Sequence, residues 1–451
     1  MKKKLTSRFI TIGLSLTMVL SVLAMPSWAY AATDSTTIDK TLKDTAKAMY
    51  SNTEAQYGYE WNIFDLARYG GIMSSSFLKN YHTSVSDYAK KEEGVLSERK
   101  YTEYEKLIIA YTAAGLNPTD VGGYNMLKPL ADFDKTVWQG VNSAIFALIA
   151  LDSGCYTIPK LTASQKSAGA TQTTRARLIQ YILDKQLPDG GWDIAGRAAD
   201  PDMTGMALQA LAPYYSGAKP ESTKTTTEVT ASIVSKVNLA ANKAIGTMAA
   251  FQKEDGSFAS YGVSTAESTV QVLTALSALG IDAQKDSRFI KGGQTVVDDL
   301  MTYYDSKACG FRHVNEASAG YEATVNGMAT YEGFYALMAY DRFTDGKSSL
   351  YTVKAPGRGS GLGLANLPGK RVKVSWAAKT GANGYQIQYA TNSKFTAGKK
   401  TVTIKSGSAK TKTLSGFAKK KYYVKVRAFK EVAGVRSYSS WSSVKTVTVK
   451  K

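Results

Sequence analysis

The sequence predicts a multi-domain fold: an all-α (α/α)6 toroid over residues 36–350, then a small C-terminal all-β sandwich over residues 371–451. Three observations carry this. A turn of the form Q-x-x-x-G-x-aromatic recurs between helical stretches, as repeat architectures require. Those stretches come in two textures, one apolar nearly all round and one with a single wet face, the signatures of buried and surface helices. Beyond residue 370 the hydrophobic period becomes two, in short runs separated by turns, which reads as strands. The composition, 44% hydrophobic and 21% charged, suits folded domains rather than a disordered chain.

At the N-terminus, Lys2, Lys3, Lys4 and Arg8 precede an uncharged apolar run from Phe9 to Leu23. Ala29-Tyr30-Ala31 then offers small residues where a signal peptidase reads. Residues 1–31 are therefore expected to be a signal peptide cleaved after Ala31. The run falls short of the ~20 residues a membrane span needs, and no later run is longer. The mature protein is expected to lack a transmembrane segment and to be secreted, either extracellular or held non-covalently at the cell wall.

The repeats organise the next part. Gln186-Leu187-Pro188-Asp189-Gly190-Gly191-Trp192 and Gln252-Lys253-Glu254-Asp255-Gly256-Ser257-Phe258 share the turn pattern, and Cys309-Gly310-Phe311 is a worn copy. Each leads into an Ala- and Leu-rich helix, which sets Asp202 opposite Glu267 and Thr204 opposite Thr269 and Thr330. Trp61 to Tyr69, Tyr104 to Gly115 and Val141 to Gly154 fit the same frame, making six inner helices. Arg175 to Gln186, Val237 to Gln252 and Phe289 to Tyr304 read as outer helices. Over roughly Tyr57 to Tyr340 these turns resemble those of squalene cyclases and the prenyltransferase β-subunit superfamily. Glu60-Trp61, Leu66-Ala67-Arg68, Asp202-Met203-Thr204 and Ala266-Glu267-Ser268-Thr269 resemble in texture bacterial relatives of the cobalamin-carrier α-domain. Cys155 follows an inner helix and Cys309 precedes one, so the two cysteines are expected on opposite faces and unbonded. Together with His82 and His313 they show no metal-ligand spacing, and no metal site is expected.

Pro356 to Lys370 is Gly-rich, and residues 351–370 are expected to be a linker. Strands are expected at Val372 to Trp376, Gly384 to Tyr389, Lys421 to Ala428 and Val444 to Val449. With Trp376 as an inward core residue and Tyr422 as a corner tyrosine, this part resembles a fibronectin type III domain. From Lys354 onward there are 22 Lys and Arg against one acid, Glu431. The net charge of +19 therefore sits in this part. In an exported protein such a surface implies anionic cell-wall polymers as partners rather than nucleic acid.

No catalytic set of the resembled enzymes is intact. The nearest match to an Asp-x-Asp-Asp acid, Val296-Val297-Asp298-Asp299, lacks its first Asp, and no zinc or thioester set is present. In the resembled fold the N-terminal ends of inner helices line a central cavity. The resemblance thus implies Trp138, Asn142, Asp202, Thr204, Glu267, Gln271, Glu322 and Tyr331 as ligand-binding candidates. The expected function is a secreted binding protein, its cavity holding a small molecule or glycan, with no cofactor. The alternatives are a toroid enzyme acting on a polysaccharide or terpenoid, for which Asp200, Asp202, Glu267, Glu322 and Tyr321 could supply acids and a tyrosine, and a cobalamin-binding protein.

Overall fold

The computed structural model describes residues 32–216, 229–317, 320–353, 361–379, 382–432, 435–439 and 441–450. The expected signal peptide lies outside them. The described chain has a helical part and a β part, each with its own hydrophobic core.

The helical part opens with α1 (Ser35–Asn52), α2 (Glu60–Tyr69), α3 (Ser75–Lys91) and α4 (Thr102–Ala113). After the one-turn α5 (Phe133–Thr136) come α6 (Val141–Ser153), the short α7 (Ala163–Ser167) and α8 (Arg175–Asp184). Then follow α9 (Pro201–Leu211), α10 (Ala231–Phe251), α11 (Ala266–Leu279), α12 (Val296–Thr302) and α13 (Gly327–Thr344). Helices α2, α4, α6, α9, α11 and α13 each pack on the next, and α13 packs back on α2. These helices are buried on most sides because Ala, Leu, Ile and Gly leave them no wet face. By contrast, α1, α3 and α8 bury one stripe only.

The repeated turns have one chemistry. In the first, Gln186 Nε2 donates to the carbonyl of Gly190 at 2.6 Å, and in the second Gln252 Nε2 donates to that of Gly256 at 3.2 Å. Both turns close with the same backbone pair, Leu187 N to Gly191 O and Lys253 N to Ser257 O. The threonine hydroxyl of the following helix then takes the aromatic residue's N–H. Trp192 N donates to Thr204 Oγ1, and Phe311 N to Thr330 Oγ1, each at 3.0 Å. Thr269 departs from this and donates to Asp299 Oδ2 at 2.5 Å instead. Trp192, Phe258 and Phe311 are fully buried.

Two stretches differ from expectation. Residues 289–304 are not one outer helix: Gly292 and Gly293, at φ +51° and +83°, turn a hairpin between Ile290–Lys291 and Gln294–Thr295, and only α12 is helical. The stretch 351–370 is not all linker. Its first strand, Gly363–Leu367, was hidden because alternating Leu362 and Leu364 sit among glycines, and residues 354–360 lie outside the described residues. Both cysteines are free thiols.

The β part follows with three small hairpins left behind in the helical part. Those are β1–β2 (Ala259–Ser260, Val263–Ser264), β3–β4 at 290–295 and β5–β6 (Tyr304–Asp305, Gly310–Phe311). Then β7 (Gly363–Leu367), β8 (Arg371–Ser375) and β11 (Thr411–Leu414) make an antiparallel sheet in the order β11-β8-β7. The second sheet runs β10-β9-β12-β13, with β14 also on β12. Its strands are β9 (Gly384–Ala390), β10 (Lys400–Ile404), β12 (Lys421–Val432), β13 (Val435–Tyr438) and β14 (Lys445–Thr448). Val372, Val374 and Trp376 from one sheet share a core with Tyr385, Ile387, Val424 and Val426 from the other.

Two substitutions test this account. Cys309 stands where the other turns have Gly190 and Gly256, and it holds φ +51°. A side chain there costs about 1 kcal/mol, so Cys309→Gly is expected to raise the urea midpoint by about that much stability. Gly205 on α9 has no room for a methyl, since a Cβ would come within 2.6 Å of the Gln271 carbonyl. Gly205→Ala is therefore expected to destabilise by roughly 1–3 kcal/mol in the same assay.

Candidate functional site

The first turns of the six ring helices enclose a cavity of about 320 Å3, lined among others by Trp61, Lys106, Asn142, Met206, Gln271 and Glu332. A second cavity of similar size lies among the last turns of α6, α9, α11 and α13. The ring helices therefore run parallel. Register explains the lining. Phe146, Met206, Gln271 and Glu332 are each the sixth residue of their helix, and all four face the first cavity. Tyr351 borders both cavities. It stacks on Phe64 at 5.3 Å. The segment carrying it is held by Arg68, whose Nη2 donates to Ser349 O at 3.0 Å, and by Arg342, whose Nε donates to Ser348 O at 2.9 Å. Burial and the neighbouring Arg342 charge lower the Arg68 guanidinium to about 9.

A relay of amides sets the polar wall. Gln209 Nε2 on α9 donates to Gln271 Oε1 at 2.9 Å. Gln271 Nε2 in turn donates to Tyr335 Oη at 2.6 Å and to Glu332 Oε2 at 3.2 Å. Burial, with the charges of Glu267 and Asp202, pushes the Glu332 carboxyl up to about 8. Asp65, the sixth residue of α2, is fully buried, and neither of its oxygens has a hydrogen-bond partner among the described residues. Burial raises it well above the ordinary carboxylate range, and Glu332 adds to that. Glu267 Oε2 pairs with His313 Nδ1 at 2.7 Å. Burial raises Glu267, and the imidazole opposes this. On the opposite wall Lys106 Nζ meets Glu103 Oε2 at 2.8 Å and Glu60 Oε2 at 3.7 Å, and Tyr57 Oη donates to Glu103 Oε2 at 2.9 Å.

This arrangement offers aromatic faces from Trp61, Phe146, Tyr331 and Tyr335 beside an amide, a carboxyl that stays protonated at neutral pH and one ammonium. Among the described residues no group of His, Cys, Asp and Glu is placed to hold a metal ion.

Of the sequence candidates, Asn142, Gln271 and Tyr331 line the cavity. Asp202 and Glu267 act on it through their charges. Three do not belong to it. Thr204 is buried and spent on the Trp192 turn. Trp138 is 64% exposed outside the cavity, under the Arg99 guanidinium. Glu322 is exposed in the loop before α13, because α13 starts only at Gly327. Glu332 and Lys106 line the cavity and were missed; Asp65 and His313, also missed, do not line it but act on Tyr331 and Glu267. The signal that could have found Glu332 and Asp65 is their helical register with Gln271. The Asp298-Asp299 pair is structural: Asp298 closes the capping box of α12 with Thr295, and Asp299 accepts from Thr269.

No protein-family model matches the chain, and no curated protein matches it. Solved structures similar to part of it include the FN1–FN3 domains of chicken CNTN1, at 20% identity over 22% of this chain and 31% of that one, with TM-score 0.19. The chain thus spans about a third of that structure's length. A Fn3-like protein from Clostridium thermocellum matches at 24% identity over 22% and 97%, TM-score 0.19. The fn3 domain of human contactin 1 matches at 17% identity over 21% and 76%, TM-score 0.18. Among the described residues no helix is long and apolar enough to cross a membrane.

The Glu332 carboxyl makes a testable contribution to stability. The unfolded chain releases this proton near the ordinary 4.5, whereas the folded protein holds it to about 8. Between these values the folded state binds more protons, so the group's contribution falls as pH rises. Glu332→Gln, which keeps the neutral shape, is expected to flatten this fall. At pH 8 the variant should be more stable than wild type by on the order of a few kcal/mol, with little difference at pH 4, read from thermal melts across that range.

Proposed function

We propose that the protein is a secreted ligand-binding protein of the cell envelope, in which an (α/α)6 toroid holds a small glycan or similar polyhydroxylated molecule. The cavity among the first turns of the ring helices carries this reading. Its volume of about 320 Å3 lies at the lower end of ordinary ligand sites, roughly 300–1,000 Å3. Aromatic faces suit the C–H faces of a sugar ring, while Gln271, Asn142 and a protonated Glu332 suit its hydroxyls. The closed cycle of helix contacts and the Gln–Gly turns support the toroid.

The β part is proposed to be a fibronectin type III-like sandwich. Its support is the shared core around Trp376 and the corner made where Ala418 N donates to Tyr422 Oη at 3.1 Å. Its excess of lysine is proposed to attach the protein to anionic wall polymers, an attraction that salt screens. Full-length protein should be retained on wall preparations at low salt and released as salt rises.

One observation favours catalysis as a second reading. A carboxyl that keeps its proton to about 8 can serve as a general acid. New reducing ends from wall polysaccharide, abolished by Glu332→Gln, would establish that reading. Cobalamin, the third reading, is separated from both by a spectral titration, in which no shift of the corrin bands is expected. The deciding experiment is native mass spectrometry of the protein purified from its source. A retained small glycan is expected in wild type and about tenfold less in Gln271→Ala, the loss of about one buried hydrogen-bond set. An empty cavity with no uptake of wall sugars overturns the proposal.

A further inference from the structure

Among the described residues, six of the nine large apolar side chains that remain exposed stand before or at the first turn of a ring helix. Val95, Trp138, Ile194, Tyr261, Tyr321 and Met328 are all exposed, Trp138 by 64% and Tyr261 by 75%. Val95 precedes α4, Trp138 precedes α6, Ile194 precedes α9 and Tyr261 precedes α11. Tyr321 stands in the loop before α13, and Met328 is the second residue of that helix. Because the ring helices run parallel, these positions lie at the end of the ring that holds the cavity lined by their first turns. The turns are tied to one another. Thr102 N donates to Gln139 Oε1 at 3.3 Å, joining the α4 and α6 entries. Tyr261 Oη donates to Asp193 Oδ1 at 3.0 Å, joining those of α9 and α11. Ala266 N donates to His313 O at 2.9 Å, joining those of α11 and α13.

Exposed apolar groups brought to the end of the ring that holds a cavity suit a binding site. A molecule confined to the cavity would have no use for them. We infer that this end of the ring is an extended subsite and that the ligand is a neutral glycan chain whose end enters the cavity while its following sugars lie across the rim. This rests on the glycan reading of the cavity and goes beyond it in naming a chain rather than a free sugar.

Each rim ring has a polar partner at its side. Arg99 lies over one face of the Trp138 ring at 5.5 Å, leaving the other for a sugar, Asp193 takes the Tyr261 hydroxyl, and the His313 ring is 4.8 Å from that of Tyr321. Apolar faces alternating with hydrogen-bonding groups match a sugar, whose rings have both. A lipid surface would leave those polar groups unpaired. The Asp193 carboxylate at the Tyr261 ring disfavours a polyanion there, in contrast to the lysine-rich β part.

The test uses the full chain and neutral β-1,4-linked N-acetylglucosamine oligomers, sorted into two-sugar and eight-sugar pools. Calorimetry is expected to give at least about tenfold tighter binding of the longer pool, the worth of one or two stacked rings. The double variant Trp138→Ala/Tyr261→Ala should lose that gain and keep the affinity for the short pool, since both residues are outside the cavity. Met328 should be protected from peroxide oxidation by the long pool only. Equal affinity for the two pools, or a gain that survives in the double variant, overturns the inference while leaving the cavity reading intact. Binding of neither pool overturns both. Protection of Met328 by an unrelated basic peptide but not by the glycans overturns it in favour of a peptide partner.

Discussion

The contact on which the rest depends is the approach of α9 to α11 at Gly205. There the two backbones are so close that a methyl group would strike the Gln271 carbonyl. The same approach brings Gln209 to the Gln271 side chain, where it fixes which way the amide faces. With its oxygen occupied, Gln271 can only point its N–H groups onward, and it donates to Tyr335 and Glu332 on α13. A steric fact about one glycine thus sets the orientation of the polar wall three helices wide.

That wall is costly. Asp65 and Glu332 are removed from water and held within reach of one another's charge. A buried carboxylate without a cation loses several kcal/mol of hydration and recovers it only by keeping its proton. The ring tolerates this because its other contacts are apolar and dense, with Leu148, Leu208, Leu273 and Leu337 all fully buried. A binding protein can carry such a cost, since polar groups left unsatisfied by the fold remain free to be satisfied by a ligand.

Local pattern made much of this visible. Three of the ring helices were legible because the turns before α9, α11 and α13 repeat the same few residues, and their aligned threonines do the same work in two of three copies; the other three were legible from their apolar texture. The strands at 371–375, 384–390, 421–432 and 445–448 were legible from their alternation. What was not legible is what depends on helices distant in sequence. Glu332 follows Tyr331 by one residue and bears no motif; its meaning appears only when α11 is laid beside α13. Glu322 was chosen as an acid before a helix, but the helix begins later. His313 looked like a lone histidine until Glu267, 46 positions away, came to its side. The hairpin at 290–295 was obscured by an apolar run on either side of two glycines.

The segment around Tyr351 has a mechanical meaning. It lies between the last helix of the ring and the β part in the chain. Its residues are anchored by hydrogen bonds from Arg68 and Arg342 and by the stacking of Tyr351 on Phe64. Since Tyr351 borders both cavities, the clasp that holds this segment also holds a piece of wall common to the two.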